Sequence, residues 1–200
     1  DYGPYGWIDN FDPDWTPNTT DATHHRYAFG QQAQIAHWNL YQLANAIYPL
    51  IEEVAPLEQA LNNYADQYAR QWQAMMSKKL GLSLVKDDED GELIKQLLAF
   101  FGLHETDMTI FFRRLADVPV DKESFDSQAA IDQLRPAFYP EVMEGKAQDA
   151  LTAWLVAYAK RSQQDSVTKE QRSVLMNGVN PKYVLRNYLA QLAIDKSEQG

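Results

Sequence analysis

From Gln31 onward the apolar positions of this chain recur at three- and four-residue spacing, a period that predicts helix after helix. Ile35, Trp38, Tyr41 and Ile47, with Leu40 and Leu43 beside them, give one broad apolar face that Pro49 is expected to end. Pro56 stands where a first helical turn tolerates it. Leu57, Leu61, Tyr64, Tyr68, Trp72, Met75 and Met76 then continue as a second helix, with Gly81 as its C-terminal cap. Further helices are expected over 88–101, stopped by Gly102, and over 107–117, capped by Thr106. Three more follow at 124–134, at 147–161 with Leu151, Trp154, Leu155 and Tyr158 inward, and at 168–176. A last one opens at Asn180-Pro181 and runs through Ile194. No segment alternates as a strand does and no internal repeat is visible, so the fold class is all-α.

Residues 1–30 follow neither period. Gly3, Pro4, Gly6, Pro13, Pro17 and Gly30 punctuate them, while Trp7, Phe11, Trp15, Tyr27 and Phe29 supply a ring every few positions. A loop this long inside a compact domain is usually functional, and its rings imply that it is pinned to the body.

Composition narrows the chemistry. A chain that is 45% hydrophobic and 23% charged can bury a core and is not disordered. Its 28 acidic against 18 basic residues give a net charge of −10, which disfavours nucleic acid as a partner. The absence of cysteine removes disulfides, thiolate catalysis and cysteine-held zinc. No apolar run approaches the eighteen residues of a membrane span, and the first residues carry no basic leader region. No membrane partner and a cytoplasmic location are therefore expected.

Several motifs reduce to simpler readings. In residues 86–97 Gly91 could be the sixth position of a calcium loop, but Lys86 and Leu97 would then occupy ligand positions, so the motif fails. Its acids suit the positive end of a helix instead. His24 and His25 are adjacent, and His37 and His104 lack an i, i+4 partner, so all four read as surface or supporting side chains. The Tyr64, Tyr68 and Trp72 stripe reads as packing.

The triplet Asp1-Tyr2-Gly3 is different, because an acid, an aromatic and a glycine heading a long loop is the arrangement kinases use to hold Mg²⁺ on a nucleotide. Three blocks, DYGPYGWIDNFDPDWTPNTTD, RYAFGQQAQIAHWNLYQLA and NPKYVLRNYLAQLAI, resemble the selenoprotein O family of protein adenylyltransferases, in the family's order. The resemblance implies a kinase-like fold. It also implies transfer of AMP from ATP to Ser, Thr or Tyr hydroxyls of protein substrates, with ATP reversed relative to a kinase so that pyrophosphate leaves.

By that resemblance Asp1 is the metal- and cofactor-binding acid, coordinating Mg²⁺ (or Mn²⁺) on the phosphates of ATP. Residues 1–30 become the metal-binding turn and an activation-segment-like loop, and 31–200 the helical C-terminal lobe. The catalytic base, nucleotide-binding lysine and phosphate loop are expected upstream of Asp1, so the chain is read as a C-terminal-lobe fragment that is inactive alone. The rival class is a non-catalytic helical interaction module of a pseudokinase, which composition fits equally well.

Overall fold

The computed structural model describes residues 6–21, 23–82, 87–139 and 143–199. Eight α-helices run through them: α1 (Gln32–Ile51), α2 (Ala55–Lys79), α3 (Asp87–Leu103), α4 (Met108–Leu115), α5 (Ser127–Leu134), α6 (Lys146–Ser162), α7 (Lys169–Val179) and α8 (Asn187–Glu198). Among the described residues there is no strand, only a single antiparallel bridge between Thr106 and Phe138, so the class is all-α as expected. No helix among them is long and apolar enough to cross a membrane.

The ends of the helices depart from expectation where a local rule yields to a neighbour. Pro49 does not end α1, because near the C-terminus it costs one hydrogen bond; the helix stops at Glu52, whose φ of 58° is left-handed. Gly102 lies inside α3. Thr106 does not cap α4; Asp107 does, its carboxylate accepting from the Ile110 amide at 2.9 Å, while the Thr106 hydroxyl donates to the His104 carbonyl. Asp126 likewise starts α5 later than 124, and α8 begins only at Asn187, seven residues past Asn180. Thr168 and Gln171 form a reciprocal capping box at the start of α7.

By contact density the chain divides into two units, Asp1–Ile8 with Asp12–Trp72, and Asp9–Phe11 with Gln73–Gly200, the division falling within α2. In the first unit α1 buries none of its residues fully, and Trp38 and Tyr41 stay about half exposed. Tyr64 ties α2 to α1: its ring stacks on His37 at 5.6 Å and its hydroxyl donates to the Ala33 carbonyl at 3.2 Å.

The second unit holds the core. Phe100, Phe101, Phe111, Phe112, Phe138 and Trp154 meet in tilted and edge-to-face pairs 5.0–6.4 Å apart, and Leu97, Leu115, Leu134, Leu151 and Leu155 are fully buried around them. The polar tips of the buried rings are satisfied: Trp154 Nε1 donates to the Leu93 carbonyl at 2.9 Å, and the Tyr158 hydroxyl to the Leu80 carbonyl at 2.7 Å. Burial raises the Tyr158 pKa against the opposing pull of Arg172, so the phenol stays a donor.

Two arginines are buried with it. Arg161 bridges Asp90 (Nε–Oδ1 2.6 Å) and Asp165 (Nη1–Oδ1 2.9 Å), all three side chains being almost wholly covered. Burial alone would lower its pKa, but the hydrogen bonds and charges of the two aspartates outweigh that and raise it. Arg172 instead donates to the Tyr158 hydroxyl (2.8 Å) and to the carbonyls of Leu115, Ala116 and Val118, where the C-terminal end of α4 is electronegative.

Gly81 closes α2 against this arginine. Its φ is +71°, the Leu82 amide bonds back to Ser77 and the Gly81 amide to Lys78, which is a Schellman cap. A Cβ at this position would lie 2.7 Å from Arg172 Cγ and 2.8 Å from Met176 Cγ. Gly81→Ala therefore meets both a backbone and a packing penalty, and should cost the intact protein about 2–4 kcal/mol in urea unfolding. Arg161→Met, which strands two buried carboxylates, should cost about 3–5 kcal/mol; a loss under 1 kcal/mol would mean the aspartates find other partners.

Candidate functional site

The irregular segment that precedes α1 is organised at two places, one in each unit. In the second unit Asp9 meets Arg186 at 3.1 Å and the Asn187 side-chain amide at 3.0 Å. Arg186 also reaches Oδ2 of Asp107 at 2.6 Å, while Oδ1 of that aspartate caps α4. Arg186 and Asn187 sit at the N-terminal end of α8, so both carboxylates lie where a helix N-terminus adds positive potential to the guanidinium. Burial works to lower the Arg186 pKa, but the hydrogen bonds it donates to Asp107 and then to Asp9 reverse that and raise it. Tyr139, beside them, is raised first by burial and then by the charges of Asp107 and Asp9. Two residues on, the Phe11 amide donates to the Thr106 carbonyl at 2.8 Å and the Phe11 ring packs on Phe101 at 5.4 Å. Residues 9–11 are thus pinned by charge, backbone and ring together.

In the first unit Asp21 organises the loop. Its buried carboxylate accepts from the Arg26 amide (2.9 Å) and the Tyr27 amide (2.6 Å), and its carbonyl accepts from His24 and His25. The two strands of the loop are tied by Phe29 N–H to the Trp15 carbonyl and Gly30 N–H to the Pro13 carbonyl. Arg26 lies 4.1 Å over the Trp38 ring, fastening the loop to α1. His25, at φ +49°, donates from Nδ1 to the Asp14 carbonyl at 2.8 Å. An open cavity of about 530 Å³ lies here, with Asp14, His24 and Arg26 at its wall. Of these three ionisable residues, Arg26 is already engaged with the Trp38 ring.

Sequence reasoning placed one site residue, Asp1, and it lies outside the described residues. Among those described, no group of three or more histidine, aspartate or glutamate side chains converges closely enough to hold a metal ion. The described residues do not by themselves fit a metal centre. Of residues 86–97, whose spacing fails as a calcium loop, 87–97 are helical in α3 and Asp90 is committed to Arg161. Sequence reasoning missed Asp9, Asp21, Asp107 and Arg186. The signal was faint: an acid in one ring-rich block and an Arg-Asn pair in another, 177 residues apart, which no local period connects.

The geometry joins the first and last of the three blocks singled out in the sequence, and comparison with known proteins agrees on the class. A family model described as protein adenylyltransferase SelO matches residues 1–200, and the chain belongs to that family. More particularly, it is 51% identical over its whole length to a protein of Aromatoleum aromaticum named protein nucleotidyltransferase YdiU, and 49% identical to the protein of that name from Flavobacterium johnsoniae. A third of that name, from Rhodopirellula baltica, is 47% identical. The chain spans 37–38% of the length of these relatives.

Removing the guanidinium at 186 should free residues 9–11 before anything else. In Arg186→Gln, amide exchange at Phe11 should quicken by about tenfold or more relative to core amides such as Leu155. Equal acceleration at both would show global destabilisation and no local clasp.

Proposed function

We propose that the protein carrying this chain is a protein adenylyltransferase, transferring AMP from ATP to Ser, Thr or Tyr hydroxyls of other proteins with release of pyrophosphate. Membership of the family across all 200 residues, Asp1-Tyr2-Gly3 included, is the observation that carries this reading. Protein nucleotidyltransferase is also the name borne by the relatives that match this chain over its whole length. Asp1 is the carboxylate we assign to a divalent cation, Mg²⁺ or Mn²⁺, on the ATP phosphates. Such an ion neutralises the negative charge that builds on the phosphates as the acceptor oxygen bonds to the α-phosphorus and the bond to the β-phosphate breaks. The base that takes the hydroxyl proton is assigned to residues preceding Asp1. Residues 1–30 are read as the metal-binding turn and activation segment, and 31–200 as the helical C-terminal lobe. We read the location as cytoplasmic, a compartment in which ATP is available.

Isotope placement tests the reaction in the intact protein. Label at the α-phosphate of ATP should appear on acceptor protein and label at the γ-phosphate should not. Asp1→Ala should lower that transfer by about a hundredfold or more while leaving the unfolding midpoint unchanged. Transfer of γ-label would make the protein a kinase, absence of both labels would favour an interaction module, and undiminished transfer by Asp1→Ala would remove the metal assignment.

A further inference from the structure

We propose that the cleft between α4, the turn Arg135–Ala137 and the segment entering α8 docks an acidic stretch of a partner polypeptide. All its walls belong to the second unit, and its volume is about 580 Å³, within the range of binding pockets. Four cations line it, Arg113, Arg114, Lys182 and Arg186, against the single carboxylate of Asp117. Two of the four are committed: Arg186 to Asp9 and Asp107, and Arg113 to the carbonyls of Asn177 and Asn180. Arg114 and Lys182 have no carboxylate partner among the described residues, and both are exposed.

In a chain of net charge −10 such a concentration of unspent positive charge is selective. At physiological salt the screening length is about 8 Å, so an anion beside Arg114 and Lys182 feels these two cations and the single opposing Asp117, with Arg186 already neutralised, and not the distant carboxylates. Nucleic acid, with its extended charge, is repelled by the rest of the surface. The apolar lining distinguishes a peptide from a free anion. Tyr183, 82% exposed beside the Lys182 ammonium, and Leu189, 44% exposed, offer contact area that a bare phosphate cannot use. The occupant is therefore an acidic peptide with apolar or aromatic residues between its carboxylates. That it would select acceptor proteins rests on the adenylyltransferase reading; the binding itself does not.

The test measures binding to the intact protein without ATP, using fluorescence anisotropy of a labelled peptide that alternates Glu with Leu and Tyr. Saturable binding is expected near physiological salt. Arg114→Glu with Lys182→Glu should weaken it by about tenfold or more, and Arg114→Gln with Lys182→Gln, a gentler pair, by several-fold. Lys122→Glu with Lys160→Glu, an equal charge change at two exposed sites outside the cleft, should leave it unaltered, all variants keeping their unfolding midpoint. Three results would each overturn the proposal: binding no tighter than that of the same peptide with Lys for Glu, indifference to the charge reversal in the cleft, or displacement by millimolar inorganic phosphate as effective as by unlabelled peptide. The last would make the cleft a site for free oxyanions. Failure of AMP transfer with binding intact would count against the enzyme reading alone.

Discussion

A guanidinium cannot shed its proton in a protein interior, so a buried arginine dictates what surrounds it. Arg172 imposes that constraint on the second unit. No carboxylate reaches it among the described residues; the carbonyls at the end of α4 and the hydroxyl of Tyr158 take that place. Tyr158 can accept from Arg172 only because it donates onward to Leu80, and Leu80 is where α2 ends. The close of α2 must then be a left-handed glycine, since any Cβ at position 81 would strike the arginine stem. Four helices are fixed relative to one another by the need to solvate one charge without water.

Arg161 solves the same problem by the opposite means, with two carboxylates drawn from α3 and from the turn after α6. Such a triad contributes little net stability over an apolar substitute but punishes any single loss. The two solutions divide the labour: one orders helix ends through their carbonyls, the other cross-links helices through side chains.

Helix content was legible because a helix announces itself within its own residues. The inward set of α6, Leu151, Trp154, Leu155 and Tyr158, follows from its spacing and is buried as read. Helix starts were legible only where the cap competed with no other role. Thr168 caps α7, but Thr106 is drawn into a bridge with Phe138, leaving the cap to its neighbour Asp107. The Tyr64, Tyr68 and Trp72 stripe of α2 reads as packing and α1 carries a broad apolar face, yet Trp38, Tyr41 and Tyr68 remain about half exposed, since periodicity reports a face and not what covers it. Least legible were the charged contacts. Asp9, Asp90, Asp107, Arg161, Arg172 and Arg186 all look like ordinary solvated residues in sequence, because their partners are set by tertiary folding.

The bond between Asp9 and Arg186 spans 177 positions of the chain. A ribosome adding about 5–20 residues per second needs roughly 10–35 s to cover that span. Through that interval Asp9 has been made while the cation that will pair with it does not yet exist. The charge clasp on residues 9–11 therefore closes last, after the backbone and ring contacts of Phe11 have become available.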